Sequence, residues 1–116
     1  MKFVALVVIA SSEFEDDLKK TAKEAGASGG TILQGRGSGY EEKKSFFSLT
    51  FEGNHSVMIY ILEDKMSRVV LKALKEELER EAGDGIAFTT PISHIVGLNE
   101  KVIEKFEDNI KKEEIL

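Results

Sequence analysis

Two uninterrupted apolar runs constrain the fold of this chain more than any other feature. The first is FVALVVIA, from Phe3 to Ala10, and the second is VMIYIL, from Val57 to Leu62. Both are rich in β-branched residues, and both are far shorter than the ~18 apolar residues that a membrane-spanning helix needs. Because neither run alternates with polar residues, each is predicted to be a strand buried on both faces.

Two other segments have the helical period. The spacing predicts a helix over Glu13–Ala25, with Ser12 as its N-cap and Gly26 as its stop, and a second helix over Lys65–Glu81 that Asp64 is able to cap. In both segments the charged residues take the side opposite the apolar stripe. The apolar stripes are Phe14, Leu18, Ala22 and Ala25 in the first helix, and Met66, Val69, Val70, Ala73, Leu74 and Leu78 in the second.

Shorter strands fill the intervals. Thr31–Gly35 and Ile86–Thr90 are predicted strands, the latter ended by Pro91, while residues 46–51 are either a further strand or a folded-down loop. A terminal helix is predicted from Glu100 to about Glu114. The order β-α-β-β-α-β predicts an α+β, ferredoxin-like sandwich with an added C-terminal helix.

This order divides the chain into a domain at residues 1–98 and a C-terminal helix at residues 99–116, packed on the same domain or on a neighbouring subunit. Two helices cover only one face of a four-stranded sheet, yet both long strands are apolar on both faces. We therefore expect a second copy of the chain to bury the other face, with the terminal helix as the alternative cover.

The charge and composition exclude several classes of function. A net charge of -5, with lysines interleaved among acids, argues against nucleic-acid binding, which needs a basic surface. The absence of cysteine excludes disulfides and thiolate chemistry. His55 and His94 stand far apart and lack further ligands, so no metal site is predicted. Although the N-terminus imitates a short signal peptide, the strand interpretation is favoured, and a cytoplasmic protein without membrane insertion is expected.

Two glycine loops are the candidate binding features. Gly35, Gly37 and Gly39 stand at alternate positions from the end of the second strand, and Gly83-Asp84-Gly85 precedes the last strand. Glycine allows sharp turns and lets a ligand approach backbone N–H groups. Neither loop matches a dinucleotide fingerprint or a P-loop. No base or nucleophile is placed to work with Asp84, so an enzyme is not predicted.

These residues carry a resemblance to the PII family of signal-transduction proteins. The similarity lies in the strand ending in Gly35-x-Gly37, the long loop that follows, the Glu63-Asp64 helix start and Gly83-Asp84-Gly85, and it spans residues 1–96. The resemblance implies a homotrimer that binds adenine nucleotides between subunits. It also implies that the loop at residues 36–54 contacts partners such as ammonium transporters and nitrogen-metabolism enzymes.

The resemblance also implies which residues bind the ligand. Gly35 and Gly37 match the base of the family's long loop, and Gly83, Asp84 and Gly85 match its phosphate-side loop. Arg36, Ser38, Tyr60 and Ile86 complete the predicted ligand-binding set. Tyr60 is either directed toward the adenine position or a core aromatic, and Arg36 is either a replacement cation or a surface cation.

Several charged groups of the family are replaced in this chain. Ile86 stands where the family has a lysine, Ser38 and Gly39 stand in place of an arginine and a glutamine, and the neighbourhood of Gly97 and Asn99 replaces two arginines. The ligand's identity stays open, and ATP is expected to bind weakly because each lost charge-assisted contact forfeits ~1.5–3 kcal/mol.

Two alternatives remain. The first is a CutA-like structural or metal-tolerance trimer, which shares the topology but not the glycine pair. The second is a small acylphosphatase-like enzyme, for which Arg36 and Asn54 form too loose a pair.

Overall fold

The computed structural model describes residues 1–36, 45–46, 49–50, 54–81 and 85–98, together with residues 104 and 108. It contains six strands and two α-helices in these ranges. In chain order they are β1 (Phe3–Ser11), α1 (Glu15–Ala25), β2 (Thr31–Arg36), β3 (Ser45–Phe46), β4 (Leu49–Thr50), β5 (Asn54–Glu63), α2 (Asp64–Glu81) and β6 (Ile86–Pro91).

Four strands form one antiparallel sheet in the order β2-β5-β1-β6. The first strand is therefore central, and its residue Val7 pairs with Ile59 on one side and with Phe88 on the other. This strand order, with α1 and α2 as connections, is the ferredoxin-like arrangement, so the predicted fold class is confirmed.

The core lies between the sheet and the two helices. Alternate residues of β1 and β5 point toward the helices, because side chains of a strand alternate between faces. Leu6, Val8 and Met58 from the sheet are fully buried against Leu18 of α1 and Leu74 of α2. Burial of one such side chain stabilises the fold by about 1.5–3 kcal/mol.

The opposite face of the sheet is also apolar, and we call it the open face. It carries the half-buried residues Ala5 and Val7 of β1 and Val57 and Ile59 of β5, together with three exposed residues. Those three are Leu33, Ile61 and Phe88, with 53%, 37% and 38% of their surface exposed. In the described part of the chain, neither α1 nor α2 covers this face. This agrees with the expectation from the sequence.

The start of α1 differs from the prediction. A 3-10 turn occupies Ser12–Phe14, and α1 begins at Glu15 with Phe14 in the N-cap position. Ser12 does not cap the helix, because its hydroxyl is hydrogen-bonded to Gln34 and Ser56 instead. The predicted stop is confirmed: Gly26 ends α1 with φ = 122°.

The start of α2 also differs. The buried carboxylate of Glu63 accepts hydrogen bonds from the backbone N–H groups of Lys65 and Met66, at 2.8 and 3.4 Å. Glu63 therefore acts as the cap, whereas Asp64 forms an ion pair with Arg68 at 3.0 Å. A serine, threonine, aspartate or asparagine is the usual cap, which explains why Asp64 looked better from sequence alone.

The segment around residues 46–51 contains two short strands rather than one. Strands β3 and β4 pair with each other and not with the main sheet. Residues 104 and 108 are helical, while most of the predicted terminal helix and the predicted loop at Tyr40–Lys44 lie outside the described residues. Within the described ranges, no helix combines the length and apolar character needed to cross a membrane.

Candidate functional site

Gly35 and Gly85, the described residues of the two glycine loops, lie at the same end of the sheet. Gly35 of β2 pairs with His55 of β5, which pairs in turn with Ser11 at the end of β1. Gly85 directly precedes β6, whose first residue, Ile86, pairs with Ile9 of β1. Register alone therefore brings the base of both loops to one end of the molecule.

Gly35 and Gly85 lie, however, on opposite edges of that sheet. Strands β2 and β6 are the two edge strands, and β5 and β1 lie between them. Three interstrand spacings of about 4.8 Å separate the edges by about 14 Å. A compact ligand that contacts both loops must therefore lie across the end of the sheet or between the edges of two copies of the chain.

The backbone of Gly35 lies directly under an imidazole ring. A Cβ added at Gly35 would lie 2.9 Å from Nε2 of His55, which is closer than side-chain contacts normally come. Glycine at this position therefore allows the half-buried ring of His55 to sit against the last residues of β2. The sequence indicated His55 only as a possible metal ligand. The pairing of β2 with β5, which sets His55 opposite Gly35, is the information that places it at the base of the first loop.

Gly85 has a packing role of its own. A Cβ at this position would lie 2.6 Å from Cδ2 of Leu78, 3.1 Å from Cβ of Ala10 and 3.2 Å from the backbone oxygen of Ile9. The space beside Gly85 is thus filled by the contact between the end of α2 and β1. The glycine is required for this packing whether or not a ligand approaches its backbone.

Tyr60 does not join the glycine loops. It stands five residues from His55 along β5, about 17 Å at ~3.3 Å per residue, and its position on the strand directs it toward the helices. Its side chain is 4% exposed, and its hydroxyl lies 4.0 Å from Sδ of Met58. Burial raises the pKa of Tyr60 above its ordinary value.

A hydrogen-bonded cluster lies beneath the base of the first loop. The carboxylate of Glu15, at the start of α1, accepts hydrogen bonds of 2.5 Å from Gln34 Nε2 and from the hydroxyl of Ser56, which is fully buried. Ser12 donates to Gln34 Oε1 at 3.0 Å. The cluster ties α1 to β2 and β5 immediately before Gly35, and its charge-assisted bonds are of the stronger kind.

The sequence contained a signal for this cluster. Ser56 occupies a helix-facing position of β5 in series with Met58, Tyr60 and Leu62, which are all buried. A hydroxyl at such a position needs a hydrogen-bond partner, because an unpaired buried polar group costs about 1–3 kcal/mol.

The remaining predicted site residues can be located only in part. The backbone of Arg36 ends β2 opposite Asn54. Gly37, Ser38, Gly83 and Asp84 lie outside the described residues. Within the described ranges, no group of three or more histidine, aspartate or glutamate side chains is arranged to hold a metal ion.

A βαββαβ sandwich with a glycine at the end of its second strand and another before its last strand is the arrangement that the sequence predicted for a PII-like protein. The family model for nitrogen regulatory protein P-II matches residues 1–105 of the 116. The chain therefore belongs to the nitrogen regulatory protein P-II family.

Solved structures agree with this fold. A candidate PII-like signalling protein from Thermus thermophilus is 24% identical, with a TM-score of 0.61 over 79% of this chain and 87% of the other. CPII from Thiomonas intermedia, bound to ADP, AMP and acetate, is 20% identical, with a TM-score of 0.67 over 90% of this chain and 94% of the other. Its apo form is also 20% identical, with a TM-score of 0.60 over 79% and 90%. A search of curated protein sequences gave no match.

Proposed function

We propose that this chain is a non-enzymatic, cytoplasmic PII-like regulator that forms a homotrimer and senses an adenine nucleotide between its subunits. The observation that carries the proposal is the position of Gly35 and Gly85 at one end of the sheet but on opposite edges. When the β2 edge of one copy meets the β6 edge of the next, one ligand contacts both loops. Ligand binding then changes the surface that the loop at residues 36–54 offers to a partner such as a transporter or a metabolic enzyme.

The open face supports assembly. Leu33, Ile61 and Phe88 are large apolar side chains spread over three strands, with Val7 and Ile59 between them. Contiguous apolar surface of this kind is uncommon on monomeric proteins and marks an interaction surface. Burying it against two further copies removes it from water, and the family resemblance favours three copies around one axis.

The nucleotide is proposed to be AMP or ADP rather than ATP. The chain offers Ile86 where the family has a lysine, so less positive charge is available for a third phosphate. CPII, a protein of similar fold, has been solved with ADP and AMP, which supports the same ligand class. His55 beside Gly35 is proposed to donate a hydrogen bond to a phosphate, in partial replacement of the missing cations.

Calorimetry with AMP, ADP and ATP tests this proposal. The parent protein is expected to bind AMP or ADP more tightly than ATP. Ile86→Lys should strengthen ATP binding by up to ~1.5–3 kcal/mol, because it adds one charge-assisted hydrogen bond. Thr89→Lys is the matched control, since it adds the same charge to an exposed position about 10 Å further along β6 and should change binding little.

The calorimetry distinguishes a nucleotide-sensing protein from a CutA-like structural trimer. Tight ATP binding by the parent would refute the argument from missing charges. If no nucleotide binds the parent or Ile86→Lys while the trimer persists, the sensor function is refuted and the CutA-like scaffold takes its place.

Sedimentation tests the assembly separately. Ile59→Glu places a carboxylate in the middle of the open face and should dissociate the trimer, whereas Lys72→Glu on the exposed side of α2 should not. If the parent protein sediments as a monomer, the proposed intersubunit site is refuted.

A further inference from the structure

A cleft lies on the side of the sheet that carries the helices, away from Gly35 and Gly85. This cleft has a volume of about 190 Å³ and is lined by Lys19 and Lys23 of α1, by residues 27–30, and by Ile32 and Tyr60. It opens where α1 ends and the chain turns back into β2. We call it the α1 cleft.

Glycine creates the depth of the α1 cleft. A Cβ added at Gly30 would lie 2.5 Å from Cε1 and 2.7 Å from Cδ1 of Tyr60, so the tyrosine ring lies directly against this stretch of backbone. Gly29 has φ = 74°, a conformation that side-chain-bearing residues rarely adopt, and the space beside it is open to 4 Å among the described residues. The connection therefore forms a thin wall without side chains in front of the ring.

The floor of the cleft is apolar and carries one polar group. Ile32 supplies apolar surface, and Tyr60, which is only 4% exposed, contributes a small part of its ring. The Tyr60 hydroxyl has only the thioether of Met58, a weak acceptor, at 4.0 Å as its described partner. Because burial raises its pKa, this hydroxyl keeps its proton at neutral pH and adds no negative charge to the floor.

The rim of the cleft is positive within an acidic protein. Lys19 and Lys23 are four residues apart on α1, so their side chains leave the same face of the helix. In the described part of the chain, neither ammonium group is paired with a carboxylate, and no acidic residue lines the cleft.

We propose that the α1 cleft binds a small carboxylate carried on a flat apolar group, with the carboxylate at Lys19 and Lys23 and the apolar group against Ile32 and the small part of Tyr60 that is exposed. The volume of about 190 Å³ is well above the ~10–15 Å³ that a single water molecule requires, so the cleft has room for a small organic molecule. A site with a few polar groups at the rim and an apolar floor is the usual form of a small-molecule pocket.

Benzoate is the probe for this site, and benzamide is its neutral control. In ¹H–¹⁵N spectra of the full chain, benzoate should shift the amides of Gly29 and Gly30 in a saturable manner, with a Kd on the order of 1–10 mM for so small a ligand. Benzamide has the same shape without the charge and should bind several-fold more weakly. Added sodium chloride should weaken benzoate binding and leave benzamide unchanged.

Variants of α1 identify the contact. Lys19→Gln and Lys23→Gln should each weaken benzoate binding by roughly 1.5- to 5-fold, the range of exposed ion pairs. Lys20→Gln removes an exposed lysine from the same helix outside the cleft and should leave the Kd unchanged. Gly30→Ala should also reduce binding, because its methyl group displaces the Tyr60 ring.

Three results would overturn the proposal. They are equal affinity for benzoate and benzamide, an equal loss of affinity in Lys20→Gln and in the cleft variants, and the absence of saturable shifts up to ~50 mM. All three lysine variants change exposed positions, so the test does not depend on the tolerance of the core.

Discussion

Replacing Gly85 with alanine should destabilise the fold in the absence of any ligand. The added methyl group would lie 2.6 Å from Cδ2 of Leu78, about 1 Å inside the ordinary carbon–carbon separation of ~3.5–4.0 Å. Gly85 is not among the glycines with positive φ, so backbone strain adds nothing to this effect. The perturbation is therefore steric.

The magnitude follows from which neighbours can move. Leu78 is half-buried and can change rotamer, whereas Cβ of Ala10 and the backbone oxygen of Ile9 belong to the central strand and lie at 3.1 and 3.2 Å. Overpacking of this kind costs about 1–3 kcal/mol. At about 4 °C per kcal/mol for a chain of this size, the melting temperature should fall by about 4–12 °C.

Urea unfolding followed by circular dichroism, without nucleotide and at one fixed protein concentration, measures this loss. Leu78→Ala in the Gly85→Ala background removes the closest contact, so the double variant should lose at least ~0.5 kcal/mol less than the sum of the single variants. An unfolding midpoint identical to that of the parent, with no coupling to Leu78, would refute the packing role. Gly85 would then act only through ligand approach.

Three further predictions have definite expected results. Glu63→Ala removes the acceptor for two N–H groups of α2 and should cost about 0.5–2 kcal/mol in urea unfolding, whereas Asp64→Ala should cost less because it removes only a partly exposed ion pair. Ser56→Ala should cost about 1–3 kcal/mol, and an unchanged midpoint would mean that Glu15 and Gln34 satisfy each other without it. Because burial raises the pKa of Tyr60, its protonated hydroxyl favours the folded state. This contribution to folding stability is fully present below the unfolded-state pKa of ~10 and is lost as the pH rises through the higher folded-state pKa. Tyr60→Phe should remove this alkaline loss, and an identical alkaline profile in the variant would contradict it.

The sequence predicted the framework of the fold well because the signals were strong and local. The run from Phe3 to Ala10 and the period of α2 each indicate one element without reference to the rest of the chain. The strand order then follows from a small number of allowed topologies, and the exposure of Leu33, Ile61 and Phe88 agrees with the expectation of an uncovered face.

The details that sequence reasoning missed depend on contacts between distant residues. Ser12 looks like a helix cap until Gln34 and Ser56 are brought beside it, 22 and 44 residues away. Glu63 caps α2 although its long side chain is a poor local candidate. Glycine is ambiguous for the same reason, since at Gly85 the space is occupied by α2 rather than left open for a ligand.

The central position of β1 bears on how the protein is made. This strand is synthesised first, yet its two partners are β5 and β6, and Val4 pairs with Pro91 near the other end of the described sheet. At ~5–20 residues per second, roughly 4 to 16 s separate the synthesis of β1 from that of β6. During that interval α1 is the first element able to shelter the apolar strand. A nascent chain of this kind therefore exposes an apolar strand until β6 has been synthesised, and changes that weaken α1 should lower the yield of folded protein more than its final stability.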